Sequence, residues 1–197
     1  MKKAMARRIL VLDGHPDPRG EHFVHGLATA YREAAQAAGH EVRTIAIASL
    51  DFPLLRSPDE FQHGIAPAAI AAAQADIEWA NHLAFFYPLW LGSMPALTKA
   101  FFEQALRPGF AFGPAKGRGL PQQKLKGRSA RVVVTMGMPS FFYKWFYRAH
   151  SLKSFERNIL HFCGIRPVWA TVIGMVEDKE TREKALAAMR RYGAKAA

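Results

Sequence analysis

The stretch from Asn81 to Leu106, NHLAFFYPLWLGSMPALTKAFFEQAL, limits the possible folds more than any other part of the chain. His82 to Tyr87 is short, aromatic and apolar on both alternating faces, the pattern of a strand covered on each side of a parallel sheet. Pro88 ends it, and Pro95 stands where a helix begins, a position that tolerates a missing N–H and a fixed φ. Leu97, Phe101, Phe102 and Ala105 then recur at the spacing of a buried helix face. The connecting loop, PLWLGSM, offers backbone N–H groups and a tryptophan and lies at the carboxyl edge of the sheet, where open α/β folds bind ligands.

The rest of the chain fits around this unit. Strands are expected at Arg8–Asp13, Glu41–Ala46, Arg131–Met136 and Arg166–Met175. The intervening helices contain Phe23 to Ala38, Ala68 to Ala80, Leu152 to Phe162, and a last one with acids at its start and Arg190, Arg191 and Lys195 at its end. The segment between Leu54 and Pro67 reads as an irregular loop, and so does Gly109 to Arg128, which holds five of the fifteen glycines. Five strands alternating with helices predict one doubly wound α/β domain over residues 1–197 with a five-stranded parallel sheet, for which 2-1-3-4-5, one of the common orders of such sheets, is the order adopted. That order makes neighbours of the HPDPRGEH loop after the first strand, the PLWLGSM loop, and TMGMPS after the fourth strand.

Composition narrows the function. A single cysteine, Cys163, excludes an internal disulfide and reads as a buried packing residue. MKKAMARR leads into a strand rather than an apolar leader segment, and no apolar run reaches the roughly 18 residues of a membrane span, so a cytoplasmic protein is expected. The net charge is +11, and Gln104 to Phe155 carries ten Lys or Arg with no Asp or Glu. That stretch reads either as a solubilising face or as an attractor of phosphate-bearing ligands. No G-x-G-x-x-G follows the first strand, no P-loop occurs, GPAKGRG lacks a feeding strand, and the eight histidines show no zinc-like spacing with cysteine. Metal binding is therefore not expected, and nucleic acid is not an expected partner either, since no reading motif accompanies the basic residues.

With these residues in view, the chain resembles the flavodoxin-like NAD(P)H dehydrogenase (quinone) family over nearly its whole length. The resemblance rests on His15 after the first strand and on Tyr87-Pro88-Leu89-Trp90 followed by Gly92, Pro95, Ala96, Lys99 and Phe101 to Glu103. Thr135 with Gly137, and ILHFCG at Ile159 to Gly164, complete it. It implies a non-covalent flavin, FMN or FAD, seated on Pro88, Leu89, Trp90, Leu91 and Gly92 and on Thr135, Met136, Gly137, Met138 and Pro139. The flavin phosphate is expected at His15, Arg19, His22 and Phe23, with Arg19 either replacing the family's hydroxyl or pointing to solvent. Tyr143 and His150 match the family's catalytic tyrosine and histidine; read without the resemblance, they are a dimer-contact aromatic and a solvated helix-start residue.

The resemblance further implies a two-electron, ping-pong oxidoreductase that takes NADH or NADPH as donor and a quinone-like acceptor. A homodimer is expected, with the FFYKWF segment as dimer surface or as a patch peripheral to the inner face of a membrane. The alternative within the same family is a regulatory subunit that keeps the fold and docks on a membrane potassium efflux transporter.

Overall fold

The computed structural model describes residues 6–115, 119 and 121–197. Lys116, Gly117 and Arg118 of the GPAKGRG run lie outside the described residues, as do Leu120 and the first five residues.

The chain runs β1 (Arg8–Asp13), α1 (Phe23–Ala37), β2 (Glu41–Ala46), α2 (Pro58–His63), α3 (Ala68–Trp79), β3 (His82–Pro88) and α4 (Ala96–Ala105). It continues through β4 (Phe112–Ala115), β5 (Pro121–Gln123), β6 (Ser129–Thr135), α5 (Ser140–Trp145) and α6 (His150–Ser154). A π-helical stretch, Phe155–Leu160, carries α6 directly into α7 (His161–Cys163), and β7 (Val168–Ile173) and α8 (Lys179–Lys195) finish the chain. The main sheet has the order β2-β1-β3-β6-β7 with every pairing parallel, which is 2-1-3-4-5 when its own strands are counted along the chain.

All seven residues of β3 and all seven of β6 are buried, because helices cover both faces of the sheet. Alternation divides the core. Leu10, Leu12, Phe85, Tyr87, Val132 and Val134 pack with α3, α4 and the α5–α7 segment. Ile9, Val11, Ala84, Phe86 and Val133 face α1 and α8.

Two segments expected as loops are ordered. Ser57 caps α2, its Oγ accepting from the Glu60 N–H at 3.0 Å, with Pro58 in the first turn and acids beside the positive helix end. Ser-Pro-Asp-Glu carries that signal locally. Within Gly109 to Arg128, β4 and β5 pair antiparallel as a short second sheet, hidden in the sequence by its proline and glycine content. The strand ends differ from the expected ranges: β6 begins two residues earlier, at Ser129, and ends at Thr135, while β7 is shorter at both ends, Val168–Ile173.

Candidate active site

Three loops meet at the carboxyl ends of β1, β3 and β6. The first is fixed by Gly14, whose N–H donates to the Phe86 carbonyl at 2.7 Å and whose own carbonyl accepts from the Thr98 hydroxyl at 2.6 Å. A Cβ at Gly14 would sit 3.0 Å from both Phe86 O and Thr98 Cγ2, so a side chain there would push β3 or α4 by a few tenths of an ångström. The second loop is a two-residue hairpin: Trp90 and Ser93 exchange backbone bonds of 2.8 and 3.0 Å around Leu91 (φ 47°) and Gly92 (φ 80°). It leaves Leu91 fully exposed and turns Trp90 toward the first loop, 5.9 Å from the His15 ring. The third loop, Met136 to Pro139, is held by Met175 N–H donating to the Met138 carbonyl at 3.2 Å and rests on Gly174, where a Cβ would fall 2.3 Å from Ser140 N.

Between them lies a cleft of about 470 Å³ lined by His15, His22, Phe23, Pro88, Leu89, Trp90, Thr135, Met136 and Gly137. Glu21, Val24, Val176, Glu177 and Arg182 complete its wall. At Gly137 a Cβ would meet nothing within 4 Å, so bare backbone faces open space. Arg182 is steadied at the rim by the Phe23 ring, 4.7 Å from its guanidinium carbon.

The first loop is a network of histidines and carboxylates. His15 and His22 stack at 3.9 Å between centroids, and Asp17 N–H donates to His15 Nδ1 at 3.2 Å. Burial, and then the neighbouring His22, lower the His15 pKa below its ordinary value, which favours the neutral ring, and its Nδ1 faces both the Asp17 N–H at 3.2 Å and the Asp17 carbonyl at 3.3 Å. His25 Nδ1 lies 2.5 Å from an Asp13 carboxylate oxygen, and its Nε2 lies 3.0 Å from the Asp17 carbonyl. The Asp17 carboxylate takes Arg19 Nε at 2.8 Å and Nη2 at 2.5 Å, with His22 Nε2 at 2.9 Å. These partners, Arg19 first, hold the Asp17 carboxyl well below the usual carboxylate range.

The expected site residues therefore divide. Arg19 is turned to Asp17 with its side chain 78% exposed and does not line the cleft. Leu91, Gly92, Met138 and Pro139 shape the loops without forming the wall. Tyr143 and His150 are not brought to the cleft. Tyr143 is 2% exposed, its hydroxyl bonded to Ser151 Oγ at 2.8 Å and accepting from the Leu152 N–H at 3.2 Å. His150 lines a separate cavity with Arg148, Lys153 and Arg157. Residue spacing did not point to Glu21, Val24, Val176, Glu177 and Arg182. The last three reach the cleft only because β7 pairs beside β6 and α8 packs on α1. Among the described residues, no group of His, Cys, Asp and Glu is arranged to hold a metal ion.

A family model described as flavodoxin-like fold matches residues 7–196. The chain is similar to an uncharacterized NAD(P)H oxidoreductase of Haemophilus influenzae, 27% identical over 177 residues, 86% of either chain. Among solved structures it resembles an NAD(P)H:quinone oxidoreductase from Methanothermobacter marburgensis, with a TM-score of 0.81 at 22% identity and 96% of each chain covered. It also resembles an FMN-dependent NADH-azoreductase from Bacillus anthracis, solved in complex with FMN, with a TM-score of 0.75 at 13% identity, covering 95% of this chain and 98% of that one.

Proposed function

The chain belongs to the flavodoxin-like fold family, and from that membership we propose that it is a flavin-dependent NAD(P)H:quinone oxidoreductase using FMN. The observation that carries this reading is the cleft, where bare backbone at Gly137, the Trp90 and Met136 side chains, and the α1 N-terminus converge. At about 470 Å³ it is within the usual range for cofactor sites, and it offers an aromatic and thioether surface beside donors for a phosphate. Names of similar proteins, which include quinone oxidoreductases and an FMN-dependent azoreductase, support the same reading.

A bound flavin would supply the two-electron chemistry between nicotinamide and acceptor. The chain's own residues would supply binding and orientation. The open first turn of α1 and the His15 imidazole would receive phosphate oxygens, while Arg182 adds positive charge at the rim. Pro88, Leu89, Trp90, Thr135, Met136 and Gly137 would hold the ring system. Donor and quinone-like acceptor would occupy the same mouth in turn, which makes the kinetics ping-pong, and the acid-free stretch from Gln104 to Phe155 favours NADPH as donor.

The test is a visible spectrum of the purified protein, identification of the released chromophore, and NAD(P)H oxidation with benzoquinone. Protein that is colourless, takes up neither FMN nor FAD and leaves NAD(P)H unoxidised ends the proposal.

One observation favours a second reading, the regulatory subunit docked on a membrane transporter. Phe141, Trp145 and Phe146 are exposed on and just after α5, around Lys144, with Trp145 78% exposed. Such a surface suits a protein partner, whether a second copy of this chain or a membrane complex. Among the described residues no helix is long and apolar enough to cross a membrane. Lys144→Glu with Trp145→Ala abolishes co-sedimentation with membranes if the transporter reading holds, and changes only the oligomeric state if the patch joins two copies.

A further inference from the structure

A second cavity, of about 370 Å³, opens where α5 turns into α6, and its wall is Arg148, His150, Lys153, Ser154, Arg157 and Asn158. It shares no residue with the cleft. We infer that it is a binding site for a phosphate-bearing anion, distinct from the flavin cleft and independent of the flavin reading.

Charge is the first argument. Three cationic side chains and an imidazole line the cavity without any carboxylate. Among the described residues, Arg148, Lys153 and Arg157 enter no ion pair. The nearest acid in sequence, Glu156, lies instead toward His161, 3.8 Å from its Nε2. Lys153 at the end of α6 and Arg157 in the π-helical stretch that continues it both line the cavity, like charges with no carboxylate between them in its wall.

The backbone provides the second. Arg148 (φ 52°) and Ala149 (φ 50°) are consecutive non-glycine residues in the left-handed region, a strained arrangement that persists only where surrounding contacts impose it. Here Tyr143 imposes it. Its carbonyl accepts from the Ala149 N–H at 3.1 Å, and its buried hydroxyl bridges to Ser151 Oγ and Leu152 N, so α5 is pinned to α6 across the turn. The result sets Arg148 and His150 beside Lys153 and Arg157. Tyr143, the match to the family's catalytic tyrosine, builds the corner that gathers these cations.

Phosphate fits this set better than a single carboxylate. Two guanidinium forks and an ammonium match a group carrying nearly two charges and three acceptor oxygens. Ser154 and Asn158, whose Nδ2 donates to Ser154 Oγ at 3.2 Å, add neutral donors at the wall. The volume leaves room for part of the molecule that bears the phosphate. That molecule is either a soluble nucleotide or a lipid whose headgroup meets exposed Trp145, Phe146 and Tyr147 next to the cavity.

The test titrates the whole protein with inorganic pyrophosphate by calorimetry, in parallel with Lys153→Glu/Arg157→Glu and with a charge-matched control on α8, Arg190→Glu/Arg191→Glu. The expected result is saturable binding that weakens at least tenfold in the first variant, changes less than twofold in the control, and falls with added salt. Flavin uptake, read separately, stays unchanged in both. Absence of binding in the parent, or equal weakening in the two variants, overturns the proposal. Competition by adenosine 2′,5′-bisphosphate assigns the site to a soluble nucleotide; co-sedimentation with phosphatidylglycerol vesicles but not phosphatidylcholine vesicles, lost in the first variant, assigns it to a headgroup.

Discussion

His15 and His22 stack face to face at the cleft, with ring centroids 3.9 Å apart and planes 19° from parallel. Two imidazoles this close disfavour charge on each other, and burial adds to the effect at His15. A histidine in this position is biased toward its neutral form.

The first prediction concerns that protonation. In histidine-selective NMR titrations, His15 should reach its midpoint below that of a free histidine. His22→Gln removes the neighbouring imidazole and should shift the midpoint upward. An anion bound at the cleft should shift it upward too, so FMN affinity should rise as pH falls, with a flatter dependence in His15→Gln.

The second concerns Thr98. Its hydroxyl is buried and donates to the Gly14 carbonyl at 2.6 Å, the tie that fixes the first loop to α4. Thr98→Val leaves that acceptor without its partner and should cost about 1–3 kcal/mol in denaturant unfolding. Thr98→Ser restores the donor and should recover most of the loss. A Val variant as stable as the parent would show that the tie contributes nothing.

A third follows from the close approach at Gly174. Gly174→Ala puts a methyl where Ser140 N and the Met138 carbonyl now lie, 2.3 and 2.5 Å away, so the third loop must move. The expected outcome is a loss of about 1–3 kcal/mol together with weaker flavin uptake. Gly137→Ala, which meets open space, should weaken uptake with little change in stability.

Acid stability supplies a fourth. His82 is fully buried, its Nδ1 2.7 Å from Ser129 Oγ, and burial together with Arg7, Arg131 and His40 lowers its pKa to about 3. The folded state therefore resists a proton that the unfolded chain accepts near 6.5. Stability should fall as pH drops below that value and level off near 3, with a total loss of a few kcal/mol. His82→Phe should remove most of this slope between those limits, measured as the denaturation midpoint against pH.

Fold and site differ in how far they can be read from the sequence. β3, α4 and the turn between them are set by neighbouring residues: an apolar run, a proline stop, a proline start and a periodic face. The α2 cap at Ser57 was equally local, although polar surroundings made its six residues look like loop. Cleft residues close to strand ends, such as His15, Trp90 and Gly137, were legible because strand order places strand ends together.

The sequence alone determined the alternation of strands and helices, their buried faces, and hence which loops share one edge of the sheet, since these depend on interactions a few residues apart. Only the tertiary structure decided which side chains enter the cleft. Val176, Glu177 and Arg182 arrive through the β6–β7 pairing and the packing of α8 on α1, contacts between residues far apart in the chain. Tyr143 is turned into the core, where its hydroxyl meets Ser151 and Leu152, and His150 follows two left-handed residues, Arg148 and Ala149, whose backbone angles leave no periodic trace in the sequence.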